Sequence, residues 1–215
     1  MADNNIYVGM EGKVGLVSLY DGAPNQVRLD RSGALAVVNA HGHFQEPAAR
    51  GKMFTASTAV AGVAPGTALS TTPPACLYNP IGSGVDLAIS KTSLGYISGT
   101  LGAGSILYAR GQQLTDPTGG SELTPVNNRL SYSRGVGRFY QGSTLTAAPT
   151  IIRAAFILGA ALATTAFQNT LITDYTEGEF IVPSGYVFCI QGVAAAGTSP
   201  LVLFGITWEE IPAGL

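Results

Sequence analysis

Short apolar or alternating runs, each closed by a turn, recur along most of this chain. Val85–Lys91 (VDLAISK) alternates apolar positions with small or polar ones, the period of a strand with one buried face. Lys52–Thr58, Ser105–Arg110, Ala34–Asn39, Glu179–Val182 and Tyr186–Ile190 also read as strands. Asn79-Pro80, Gly82-Ser83-Gly84, Pro183-Ser184-Gly185 and the stretch from Gly197 to Pro200 punctuate them as turns. No stretch sustains a capped helical period, and only FQEPAAR, residues 44–50, is expected to form a short helical turn. The pattern predicts an all-β chain, a jelly-roll-like antiparallel β-sandwich.

Two further strands carry more information. Leu201–Trp208 shows Leu201, Leu203, Gly205 and Thr207 on one side, and Val202, Phe204, Ile206 and Trp208 on the other. Ile151–Leu158 is likewise apolar on both sides. A two-sheet sandwich fills its core with one face of each sheet and usually leaves the other to water. Strands apolar on both faces therefore call for a covering arm, a third layer or a neighbouring subunit. Phe204 and Trp208 become candidate interface residues on this ground.

The chain divides by composition into an extended N-terminal arm, residues 1–50, and a sandwich, residues 51–215, with an irregular excursion near 111–150. That excursion opens with GQQLTDPTGGSELTPVNNR, too long for an ordinary connector in a compact domain.

Composition sharpens the expectation of a partner. Only 11% of the residues are charged, less than half of the roughly 25% typical of globular domains. Glycine (28) and proline (12) fill much of the gap. A monomer normally relies on a charged, patch-free surface, so this chain is expected to hide surface against other chains. The longest lipid-like stretch, Ile151–Phe167, is broken by Arg153 and falls short of a bilayer span of about 20 residues. The opening MADNNIYVGMEGK has no basic start or apolar run, so no secretion signal is expected. Neither a membrane nor, at a net charge of −2, a nucleic acid is the expected partner.

The charges that remain are uneven. Arginine outnumbers lysine eight to three, which suits partly buried ion pairs at interfaces. No acid lies between Glu122 and Asp174, yet Arg129, Arg134, Arg138 and Arg153 do, interleaved with Tyr132, Phe139 and Tyr140. Arg and Tyr are typical anchors of protein interfaces. The candidate interface residues are Arg129, Tyr132, Arg134, Arg138 and Tyr140, joined by Arg28 and Arg31 from the arm.

Catalytic patterns are weak by comparison. His41-Gly42-His43 followed by Glu46 resembles the metal motif of cupins, but Glu46 comes too early and no third histidine exists. A metal would need carboxylates from elsewhere, such as Asp86 or Asp174. The acid pairs Glu177/Glu179 and Glu209/Glu210 read as a solvated strand edge and a polar stop to the last strand. There is no GxSxG elbow or histidine placed for a serine triad. Cys76 and Cys189 fit neither a zinc knuckle nor a redox CxxC and are expected to be buried thiols. The expectation is no enzyme, no metal and no cofactor.

Three blocks carry a family likeness: VRLDRSGALAVVNAHGHF at 27–44 with RGKMFTAST at 50–58, LYNPIGSGVDLAI at 77–89, and QGVAAAGT at 191–198 with WEEIP at 208–212. Together they resemble structural proteins of tailed-bacteriophage virions, similar in kind to capsid decoration or cement proteins. The resemblance spans most of the chain except about residues 110–150. It implies a jelly-roll subunit, often a homotrimer, made in the bacterial host cytoplasm and seated on the capsid surface. Its partner would be the major capsid protein, and its role would be to bridge capsomers. A receptor- or carbohydrate-binding jelly roll of a phage fibre or tail is the alternative.

Overall fold

The structure is a computed structural model that describes residues 42–130, 132–158, 172–195 and 197–214. The chain divides into two units, Met1–His43 and Phe44–Leu215, and the second is described here. The predicted strand Ala34–Asn39, together with Arg28, Arg31 and His41, lies outside the described residues.

Among the described residues one short helix, α1 (Gln45–Ala49), precedes eleven strands. They are β1 (Met53–Ser57), β2 (Ala75–Asn79), β3 (Val85–Ser98), β4 (Gly104–Gln112), β5 (Ser121–Leu123), β6 (Val126–Asn127), β7 (Arg138–Gln141), β8 (Thr150–Leu158), β9 (Ile172–Val182), β10 (Tyr186–Val193) and β11 (Leu201–Pro212). They form two sheets, ordered β6-β1-β11-β3-β9 and β5-β7-β2-β10-β4-β8. Every pairing is antiparallel. The all-β sandwich expected from the pattern is what the chain forms.

The long strands pair as a folded-back hairpin. β1 pairs with β11, β2 with β10, β3 with β9 and β4 with β8. Apart from β4 and β8, consecutive long strands alternate between the two sheets, and the inward residues of the sheets meet face to face. β11 sends Val202, Phe204, Ile206 and Trp208 inward, opposite Leu77, Phe139, Phe188 and Tyr108 of the second sheet, and these make one continuous core. The excursion between β4 and β8 is not without structure: β5 and β7 extend one sheet and β6 the other.

A second apolar cluster lies on the outer face of the six-stranded sheet. Cys76, Tyr78, Ala109, Tyr140, Val187 and Cys189 point away from the core and are sealed by Leu145 and Leu69. Backbone bonds hold that cover in place: Leu145 N–H donates to Thr71 O at 2.7 Å, and Ala194 N–H to Thr67 O at 2.8 Å. Gln191 Oε1 adds an acceptor for Ser70 N–H at 3.1 Å. The third layer is therefore intramolecular over β2 and β10. Cys76 and Cys189 face each other across these strands as free, buried thiols, as expected. Burial, with the neighbouring Cys76 thiol adding to it, raises the Cys189 thiol well above its ordinary value.

Candidate protein interface

The two strands read as apolar on both faces have different fates. β11 is central in its sheet, and the outward Gly205 and Thr207 are enclosed by small neighbours such as Ser57, Ser93 and Thr55. Its inward Phe204 and Trp208 are 0% exposed. Both belong to the core and neither is an interface residue. Where its outward positions are as small as Gly205 and Thr207, a central strand needs no outside partner, whereas the outward Leu201 and Leu203 stay partly exposed.

β8 is the opposite case, the outermost strand of the six-stranded sheet among the described residues. Ile157, opposite Ser105, is 81% exposed, and Ile151, opposite Ala109, is 48% exposed. β9 is the outermost described strand of the other sheet on the same flank. It exposes Tyr175 and Ile181. Between the two edges opens a cleft of about 490 Å³, lined by Ile151, Ile152, Phe180, Ile181, Tyr186 and Arg110 among others.

A polar network ties the two sheets together at this flank. Tyr108 of β4 donates its hydroxyl to Asp174 Oδ2 at 2.9 Å and shares a short hydrogen bond with Thr92 of β3. Burial above all pushes the Tyr108 phenol far above its ordinary value, so it stays a donor. Arg153 of β8 reaches Asp174 at 2.9 Å and Glu179 at 3.3 Å, with its guanidinium 5.1 Å from the Tyr108 ring centre. The edges are thus held at a fixed separation by paired charges while their apolar side chains stay open.

The edges are also irregular. β8 bulges twice against β4, and β9 loops out between Tyr175 and Phe180. Glu177 and Gly178 have positive φ values of 49° and 89° there. Glu177 and Glu179 are both exposed on this outermost strand, as the solvated-edge reading expects, although the strand is irregular there. Bulged edges resist extension of the sheet by a foreign strand. What this flank offers a partner is side-chain burial.

The arginine-rich segment forms a second exposed surface. Its described residues, 128–130 and 132–137, follow β6 at the opposite edge of the five-stranded sheet. Buried Asn127 donates from Nδ2 to Gly51 O at 2.9 Å and Ser133 O at 3.3 Å. Arg129 donates to Ala49 O and its guanidinium lies 4.3 Å from the Tyr132 ring centre. Tyr132 in turn covers Gly51, whose φ of +69° and missing Cβ are both required, since a methyl group would enter the ring.

Glu210 fixes the far end of the segment. Its Oε1 accepts the Val136 N–H at 2.7 Å and the Gly137 N–H at 2.8 Å. It is buried, so it does more than stop the strand, which continues to Pro212. The anchored segment leaves Leu130 85% exposed, with Tyr132 and Val136 partly so.

The arginine and tyrosine candidates thus divide. Arg129, Tyr132 and Arg134 come together on this segment, with Arg134 4.0 Å from Glu122. Arg138, on β7, pairs instead with Asp116. Tyr140 is buried in the outer cluster of the six-stranded sheet. Of the cupin-like set, His41 lies outside the described residues, Glu46 pairs with Arg50, and Asp174 pairs with Arg153. No group of three or more His, Cys, Asp or Glu among the described residues is placed to hold a metal ion. No described helix is long and apolar enough to cross a membrane.

Sequence reasoning missed Tyr175, Ile181 and Leu130 as surface residues. β9 reads as polar (ITDYTEGEFIV), and only the topology puts it beside β8 at an open flank. No protein-family model, no curated protein and no solved structure matches the chain.

Proposed function

We propose that the protein is a structural subunit of a phage virion, a capsid decoration or cement protein that binds the outer shell and bridges neighbouring capsomers. The observation that carries this reading is the contrast between a finished core and an unfinished surface. Trp208, Phe204 and Tyr108 are fully enclosed, while edge strands β8 and β9 and the segment 128–137 expose large apolar side chains. Contiguous exposed apolar surface on an otherwise complete domain marks an association site.

The winding supports a jelly roll. Setting aside the short β5, β6 and β7, the sheets read β1-β11-β3-β9 and β2-β10-β4-β8. This order supports the reading as an eight-strand, double-sheet jelly roll, an arrangement that recurs in capsid and lectin domains. The family name rests on the sequence resemblance alone. The role is mechanical: a subunit that binds only the assembled lattice stabilises it by mass action.

Heating purified particles with and without added protein tests the reading. Saturating protein should pellet with the particles and raise the temperature at which they release DNA. Failure to pellet with any capsid of the virus that encodes it would refute the assignment.

The cleft between β8 and β9 favours one second reading, a receptor- or carbohydrate-binding module of a fibre or tail. It presents Phe180 and Tyr186 beside Arg110 and Glu179, the mix of ring faces and polar groups that sugars use. Saturable binding on a glycan array, lost in Tyr186→Ala, would support that reading over the capsid one.

A further inference from the structure

The chain has two cysteines, and the fold sets them against each other. Cys76 of β2 stands directly opposite Cys189 of β10, with both side chains on the outer face of the six-stranded sheet. Of the two kinds of antiparallel position, the pair occupies the closer one. Gly192 of β10 donates its N–H away from β4, to Pro65 O, while Gly185 O accepts the Gln113 N–H from just beyond β4. Main-chain polar groups along a regular strand point alternately to either side, and the β10–β4 register runs unbroken from Tyr186 to Val193. The N–H and C=O of Cys189 therefore face β4, and its pairing with Cys76 is a non-hydrogen-bonded one. Opposed α-carbons in such a pair are about 4.5 Å apart, inside the range of about 4.4–6.8 Å that a disulfide spans. The two sulfurs can be joined where they stand.

A thin cover separates them from solvent. Leu69, only partly buried, comes from the connection between β1 and β2, and Leu145 from that between β7 and β8. Ser70, Thr71 and Thr72, next to Leu69, are exposed. A surface layer of this kind opens locally at less cost than the whole domain. While it is closed, burial holds the Cys189 thiol protonated, and a protonated thiol is a poor nucleophile.

We propose that Cys76 and Cys189 are an oxidation site, at which a hydroperoxide admitted by opening of the Leu69 cover joins β2 to β10 through a disulfide. With hydrogen peroxide, the thiolate of one cysteine attacks a peroxide oxygen and the O–O bond breaks. The departing hydroxide takes up the proton that this thiol released and leaves as water. The second thiolate then attacks the sulfenic sulfur, so the S–S bond forms, the S–O bond breaks and a second water leaves with the second proton. Two thiols lose two electrons and two protons, and one peroxide becomes two waters. The bond closes a loop of more than a hundred residues, which makes the oxidised chain the more stable one. The inference holds whichever assembly the chain belongs to.

Treating the folded, full-length protein with hydrogen peroxide tests it. A digest made without reductant should yield a peptide joining Cys76 to Cys189 within one chain. Thiol titration in denaturant should fall from two per chain to none. The midpoint of thermal unfolding should rise by about 10 °C and fall back after dithiothreitol. Cys76→Ala should show no such rise, and Cys189→Ala serves equally if Cys76→Ala melts early. Leu69→Ala should form the joined peptide several-fold faster than the wild type.

Two thiols that survive the treatment would overturn the proposal. So would sulfinic acids in place of the joined peptide, or a peptide joined only between chains. An oxidised protein no more stable than the reduced one would refute the lock, and an unchanged rate in Leu69→Ala would refute the cover.

Discussion

Trp208→Ala will cost the fold about 3–5 kcal/mol, the usual range for emptying a large aromatic site in a core. Trp208 is fully enclosed and stacks on Phe54 with ring centres 6.0 Å apart. Gly137 lies against the indole so closely that a Cβ there would come within 2.9 Å of Nε1. Set against the 5–15 kcal/mol that holds a typical domain together, such a loss leaves the protein marginal. Chemical denaturation read by circular dichroism measures it. A Trp208→Ala protein of wild-type stability that had lost only association would return this residue to the interface.

Trp208→Phe separates packing from hydrogen bonding. The buried indole Nε1 has no hydrogen-bond partner among the described residues. Burial of an unpaired N–H costs about 1–3 kcal/mol, so phenylalanine sheds that penalty while keeping a ring beside Phe54. The expected loss is less than half that of the alanine variant.

Glu210→Ala will cost about 2–4 kcal/mol, because the buried Gly137 N–H and the part-buried Val136 N–H lose a charged acceptor at once. The damage should be local first. Hydrogen exchange at Val136 and Gly137 should speed up before the core strands β10 and β11 open, since Glu210 Oε1 is what these two amides bond to. Glu210→Gln keeps an amide oxygen for the same two donors and should lose less. Equal exchange rates in wild type and Glu210→Ala would mean that the segment is held by Asn127 and Tyr132 alone. In that case Leu130 would owe its presentation to the other end of the segment.

The fold was largely legible because alternation survives in most strands. β1, β3, β4, β10 and β11 fall where their apolar period and flanking turns put them. β2 (ACLYN) escaped because every residue is buried, with Leu77 in the core and Cys76 and Tyr78 under the outer cover. A strand covered on both faces has no alternation to read. β5, β6 and β7 are too short for any period, and long-range pairing alone makes them strands.

The candidate interface was half legible. β8 was flagged by its two apolar faces, and its outer side chains do remain open. β11 was flagged by the same rule, yet its position between β1 and β3 encloses it. Periodicity measures how apolar a face is, but an edge position decides whether that face stays exposed. The arginine-rich interval likewise mixed two environments. Arg129 and Arg134 reach the surface of an anchored loop, whereas Tyr140 lies under the cover that includes Leu145.

We propose that surface left open on this chain is closed by other subunits of a virion. The test is cryo-electron microscopy of the particles to which the proposal assigns the chain. The predicted result is sandwich-shaped density on the outer capsid shell, with the β8/β9 cleft and the segment around Leu130 both covered by neighbouring chains. Density confined to the tail, no density at all, or capsid-bound subunits with both surfaces facing solvent would contradict it.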